Sequence, residues 1–192
     1  MTIQQKGELL SCFDVASYFL VLVDREAGDV ITQLKLQKLV YFAQGVHLAL
    51  FDKPLFKEDI EAWENEPVVW HLCSIFSGFE ANAIPASGEI DFSIYTRQQK
   101  EVIYKIYSSY SEHTASYLRY LTHLRYLTHL HYIWQQAIIR PSSVITKEEM
   151  RIFFKNHIKN IEDYLLPVSK KDTAEIANAE DQWWMNYDSG VP

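Results

Sequence analysis

Cysteine, glycine and proline are all scarce in this chain. Its 192 residues hold two, six and six of them respectively. Cys12 and Cys73 stand alone, without a Cys-x-x-Cys spacing, which excludes a disulfide framework and a cysteine-based zinc site. No glycine-rich stretch could cradle a phosphate, and neither Gly-x-Ser-x-Gly nor a Cys–His signature is present to suggest nucleophilic catalysis. Long hydrophobic runs are missing too. No window approaches the roughly 18 apolar residues of a membrane span. The first apolar stretch, residues 13–23, carries Asp14 and runs into Asp24-Arg25-Glu26, unlike a signal peptide. A cytoplasmic protein is expected.

Positive charge is in deficit. Lys and Arg number 18 against 25 Asp and Glu, a net charge of −7 and a pI near 5.5. A nucleic-acid binder normally carries the opposite balance, because phosphate affinity comes from Lys and Arg. The charge is also uneven. Residues 51–96 hold nine acidic residues and two lysines, a balance of −7, whereas 97–140 hold six basic and two acidic, a balance of +4. An acidic face could steer a basic partner, or could simply keep the surface solvated. Within it, Asp59, Glu61, Glu64 and Glu66 are dense enough to suggest acid–base work, but no apolar flank singles one out, and a solvated face is the expectation.

The chain does contain much aromatic and apolar material. Hydrophobic residues make up 48% and aromatics 14%, with twelve tyrosines. This composition suits one globular domain with a short tail, and such rings either fill a core or mark a contact surface.

Periodicity predicts a mainly α protein, a compact helical bundle. A first helix is expected over about 14–26, N-capped by Asp14, with Val15, Ala16, Phe19, Leu20 and Val23 inward and Gly28 ending it. A second, over 34–51, carries the stripe Leu36, Leu39, Val40, Ala43, Val46 and Leu50, flanked by Leu34, Tyr41 and Leu48. A helix so apolar on several sides belongs in the middle of the bundle. Residues 52–67 mix prolines with alternating charges and predict a small β-hairpin-like element around 55–68, from Leu55-Phe56 and from residues 60–63. A short helix over 69–79, stopped by a Gly78 turn, and a loop over 81–92 follow. Thr96 with Gln99, and Thr146 with Glu149, have capping-box spacing and open two further helices. The inner faces are Val102, Ile103, Ile106, Tyr107 and Tyr110, then Met150, Phe153, Phe154, His157, Ile158 and Ile161. One domain over 1–166 and a polar tail over 167–192 are expected.

One feature is unusual. Residues 120–125 read Tyr-Leu-Thr-His-Leu-Arg and residues 126–131 read Tyr-Leu-Thr-His-Leu-His, a six-residue tandem duplication. Six residues turn a helix by about 600° and lengthen it by about 9 Å, so a continuous helix would present everything downstream on another face. The insert is therefore expected to be absorbed near the surface. His113, His123, His129 and His131 cluster here, but spacings of six and two are not the i, i+4 pairs of a zinc-binding helix. No metal, cofactor or catalytic residue is expected.

The run LKLQKLVYFAQGVHLALFDKPLF followed by IEAWENEPVVWHLCSIF resembles the Panacea antitoxin domain family. The resemblance rests on Leu36, Gln37, Lys38, Leu39, Tyr41, Leu55, Phe56, Ala62, Trp63, Pro67 and Val68, and later on Leu127-Thr128-His129 before Trp134, with Leu121-Thr122-His123 as the extra copy. It spans about residues 10–165. Glu66 departs from the family's usual glycine before Pro-Val. The resemblance implies a non-enzymatic antitoxin that binds a cognate protein toxin encoded by a neighbouring gene, small alarmone synthetase-type toxins among them. Some members resemble adaptors that deliver a toxin to a protease. A DNA-binding regulator of its own operon is the rival, although no basic recognition helix is visible. A homo-oligomer is compatible with the sequence. Tyr120, Arg125, Tyr126, His129 and Trp134 have the aromatic and Arg character of interface anchors and are the expected partner-binding residues. Core packing is the alternative for Trp134, and Trp63, Pro67 and Val68 are expected to be structural.

Overall fold

The computed structural model describes residues 9–26, 28–64, 66–85, 88, 90–110 and 130–164, with the side chains of 130–132 and 157–164 outside that description. Helix α1 is Cys12–Leu22, one turn earlier than the sequence suggested. Ser11, not Asp14, is the N-cap. Its hydroxyl accepts from the Asp14 N–H at 3.2 Å while the Asp14 carboxylate accepts the Ser11 N–H at 2.7 Å, a capping box that puts the acid at the third helical position. Gly28 does not end this helix. Val23 turns extended, and the Arg25 guanidinium donates to the Leu20 carbonyl at 2.9 Å, satisfying a group the helix leaves open. Gly28, with φ of 87°, serves the turn beyond.

Helix α2, Gln33–Phe51, is the centre of the bundle, as its all-round apolarity predicted. Fifteen of its nineteen residues are buried. Leu50 is an exception to the expected stripe, 48% exposed where the last turn emerges into solvent. The helix ends at Asp52, whose left-handed backbone (φ 53°) is one that aspartate tolerates.

A small sheet follows. Strand β1, Ile60–Ala62, pairs antiparallel with β2, Pro67–Val68, so the predicted hairpin exists but is confined to 60–68. Leu55-Phe56 is not part of it. Phe56 makes an isolated bridge to Leu10 instead. A third strand, β3, Val144–Ile145, pairs with the other edge of β1 through Ile60↔Ile145 and Glu61↔Val144, and nothing in its sequence announced it. Pro67 sits on an edge strand, where its missing N–H costs no ladder bond.

Helix α3, Trp70–Phe76, continues into a 3₁₀ turn, Ser77–Phe79, and a second 3₁₀ turn spans Phe92–Ile94. Helix α4, Arg97–Tyr110, opens with the predicted box: Thr96 N–H to Gln99 Oε1 at 2.8 Å and Gln99 N–H to Thr96 Oγ1 at 3.3 Å. Val102, Ile103, Ile106 and Tyr110 are buried and Tyr107 is partly so. Helix α5 is Leu130–Ile138 and helix α6 is Lys147–Tyr164. Thr146 and Glu149 form the second predicted box. Residues 167–192, and the greater part of the duplication, lie outside the described residues.

The core sits where α4 and α6 pack on α2. Phe42 stacks on Tyr110 (centroids 5.1 Å, interplanar 16°), and Phe154 meets Tyr41 and Phe42 edge-on at 5.7 and 6.4 Å. Gly45 makes this crossing possible, because a Cβ there would fall within the Phe154 ring. In an exposed helix Gly→Ala would stabilise by about 1 kcal/mol. Here overpacking, at about 1–3 kcal/mol, should outweigh it. Gly45→Ala is therefore expected to lower the urea midpoint, and a raised midpoint would show that α6 does not approach α2 this closely.

Glu149 joins two elements. Besides capping α6 it receives Arg140 Nη1 at 3.0 Å and pairs with Nη2, and this hydrogen-bonded guanidinium holds its carboxyl down at about 2. A carboxylate depressed in the folded state stabilises fully above its unfolded value of about 4.5 and loses that contribution as pH falls toward 2. In urea titrations from pH 6 downward, Glu149→Gln should be less stable than the natural chain at pH 6, and the difference should shrink below pH 4.5. A constant difference would show that the Arg140 pair is not what the acid limb reports.

Candidate interaction site at the hairpin end

A helix buried all round must find partners for its own polar side chains, since a buried polar group without one costs several kcal/mol. Helix α2 finds them in the irregular segment 53–69. Gln44 receives the Leu55 and Phe56 N–H groups on Oε1 at 2.7 and 3.2 Å and donates Nε2 to the Phe56 carbonyl at 3.1 Å. Two turns earlier, Gln37 does the same for one residue, receiving the Val69 N–H at 2.9 Å and donating to its carbonyl at 3.2 Å. His47 Nδ1 lies 2.7 Å from the Lys53 carbonyl, and burial lowers its pKa and favours the neutral ring. Each amide thus replaces sheet hydrogen bonds that this short segment cannot make for itself.

Lys38 is the harder case. Its side chain is fully buried, and Nζ sits 2.7 Å from a carboxylate oxygen of Glu66, which is 21% exposed. The acidic residue at the position where a glycine is usual is therefore an ion-pair partner, and not merely a turn residue with a Cβ. Its backbone stays out of the left-handed region. Its buried ion pair distinguishes Glu66 from the other carboxylates of this segment. Lys38 is charged, central and flanked by leucines, a pattern that demands a counter-charge, but the sequence does not say which acid supplies it.

Glu66 closes the hairpin. Trp63 N–H donates to the Glu66 carbonyl at 2.9 Å, and Glu66 N–H returns to the Trp63 carbonyl at 3.2 Å. That same Trp63 carbonyl accepts the Trp134 indole N–H at 2.9 Å. The Trp63 indole is held in turn, donating Nε1 to Glu61 Oε2 at 2.9 Å while its ring stays 39% exposed. Of the expected partner-binding residues, Trp134 is therefore half-buried and fastened to the hairpin. Tyr120, Arg125, Tyr126 and His129 lie outside the described residues. Trp63, expected to be structural, holds Glu66 and Trp134 through its backbone while its ring is exposed.

Three of the nine acids of 51–96 form ion pairs within the molecule. Asp52 pairs with Arg151 (2.8 Å) and Lys155 (3.2 Å), Asp59 with Lys147 (2.9 Å) and Glu66 with Lys38. Glu58 accepts the Cys12 N–H at 2.7 Å, at the start of α1, where negative charge is favoured. Burial, and then the Glu58 charge, push the Cys12 thiol up to about 12, so it is an inert core group. The expected free acidic face is thus reduced, and Glu61 and Glu64 at the hairpin end remain in it. No described Lys or Arg forms an ion pair with either.

The Lys38–Glu66 pair predicts an asymmetric mutant cycle. Glu66→Gln leaves a buried ammonium without its carboxylate and should cost about 3 kcal/mol. Lys38→Met leaves only a partly exposed carboxylate and should cost less. The double variant Lys38→Met/Glu66→Leu should recover much of the loss, as apolar replacements of buried pairs often do. Additive losses in urea unfolding would show that the two side chains do not depend on each other.

The pieces named above (the Gln37-Lys38 pair on α2, the hairpin ending at Trp63 and Glu66, and the Pro67-Val68 strand) form one physical unit. Searches against curated proteins and against solved structures returned no match. Residues 36–126, which contain this unit, match the family model described as "Antitoxin SocA-like, Panacea domain".

Proposed function

We propose that this protein is the antitoxin of a toxin–antitoxin pair, and that it neutralises a protein toxin encoded by a neighbouring gene by binding it directly, in the cytoplasm and without catalysis. The Panacea domain supports an antitoxin role in general, and it is the observation that carries this reading. The fold supports the rest. Gln37, Lys38, Gln44 and His47 at the domain centre are occupied in holding loop backbone and a counter-charge, which suits a rigid binding scaffold better than a reaction centre. Among the described residues no helix is long and apolar enough to cross a membrane. A small alarmone synthetase-type enzyme is the toxin class the resemblance favours. The binding surface on this reading includes Tyr120, Arg125, Tyr126, His129 and Trp134, of which Trp134 bonds the Trp63 carbonyl.

A DNA-binding role is less well supported. Lys38, Arg97, Arg140, Lys147, Arg151 and Lys155 all pair with carboxylates, Arg25 caps backbone carbonyls, and the chain as a whole carries a net charge of −7, the opposite of what phosphate binding favours.

Bacteria expressing the neighbouring reading frame alone should stop growing. Co-expression of this chain should restore growth, and a tag on this chain should retain the neighbour's product at a fixed stoichiometry. Rescue without a complex would overturn direct neutralisation. Rescue that required a cellular protease would favour the adaptor reading.

A further inference from the structure

We infer that the hairpin end is the docking surface for an arginine-bearing segment of the protein partner, an inference that rests on the partner-binding role above. Three observations converge there. The Trp63 ring is exposed yet immobilised, because its N–H is committed to Glu61 and the backbone beneath it is fixed by Glu66 and Trp134. A ring already held in place loses little entropy when a partner covers it. Tryptophan also offers the strongest cation–π face among the aromatic side chains. Lys38 is neutralised internally here by Glu66, whereas the carboxylates of Glu61 and Glu64 form no ion pair among the described residues.

Asp52 and Asp59, by contrast, already hold lysines or arginines. A guanidinium fits both features at once. Its plane stacks on an indole while its edge donates to a carboxylate, and a compact ammonium cannot do both. Glu61 keeps acceptor capacity for it, since a carboxylate has about four lone-pair sites and the Trp63 N–H uses one. A flexible acidic loop would have to be ordered on binding, whereas this surface is already formed.

The test uses the full chain and the product of the neighbouring reading frame, with dissociation constants measured by calorimetry at low and high salt. Trp63→Ala should weaken binding about tenfold or more. Glu61→Gln/Glu64→Gln should weaken it about as much at low salt and flatten the salt dependence. Trp70→Ala, at an exposed tryptophan on α3, should bind like the natural chain. Thermal midpoints are read alongside. Should Trp63→Ala prove unstable, Trp63→Phe and the glutamine pair decide, since they leave the backbone hydrogen bonds of the hairpin in place. Treating the partner with phenylglyoxal, which modifies arginine, should abolish binding, and the bound chain should protect against it. Natural affinity in the Trp63 and Glu61/Glu64 variants, or in the phenylglyoxal-treated partner, would overturn the hairpin-end surface while leaving the partner-binding role intact. Failure of the natural chain to bind at all would overturn both.

Discussion

The fold depends on a single constraint: α2 is surrounded by protein on every side and still carries Gln37, Lys38, Gln44 and His47 in its buried middle. Each must be satisfied internally, and each is satisfied by the stretch between residues 53 and 69. The dependence runs both ways. That stretch has only three- and two-residue strands of its own, too little to stand alone in water, and it takes its shape from the amides and the ammonium that reach into it. Helix and hairpin are therefore one cooperative unit. Removing Gln44 would strand two N–H groups and a carbonyl together, a larger loss than the roughly 1 kcal/mol of a single average hydrogen bond.

The same economy governs charge. A net charge of −7 suggests a protein surrounded by a negative field, yet part of the strongly acidic quarter of the chain faces basic residues supplied from far along the sequence. Asp52 and Asp59 meet Arg151, Lys155 and Lys147 of α6, which docks on α2 partly through these pairs. Most of the pairs are well exposed, and each contributes at most a fraction of a kcal/mol. What they determine is distribution. Charge is cancelled along the α2–α6 seam, whereas Glu61 and Glu64 at the hairpin end form no ion pair among the described residues, so a local feature there can be selective even though the whole surface is acidic.

What could be read from the sequence was what is local. Both capping boxes at Thr96 and Thr146 appeared at the expected residues, because a box needs only its own four residues. Helix α2 was legible because a helix apolar on several sides can only be central. At α1 the local signal was present but assigned to the wrong partner: Ser11 and Asp14 are the two halves of one box, and reading Asp14 as the cap shifted the helix start. Strand β3 was invisible for the opposite reason. Two residues after Pro141-Ser-Ser carry no periodicity, and only β1, more than eighty residues away, makes them a strand. The site fared likewise. Lys38 could be recognised as needing a counter-charge, but Glu66 could not be chosen from four neighbouring acids, and the exposure of Trp63 follows from contacts that no spacing records.

The duplication at 120–131 can be weighed on the same terms. A six-residue insert rotates a continuous helix by about 240° beyond a full turn, which would carry every following side chain off its seat. The elements after it are seated nonetheless, and their seats are all non-local. Trp134 bonds the Trp63 carbonyl, Ala137 is buried, β3 pairs with β1, Arg140 clasps Glu149, and Phe154 lies over Gly45. Their positions are set by contacts with α2 and the sheet, and not by a helical phase handed down from residue 119. A scaffold anchored on both flanks of a segment can accept a change of length within it at little cost to the core.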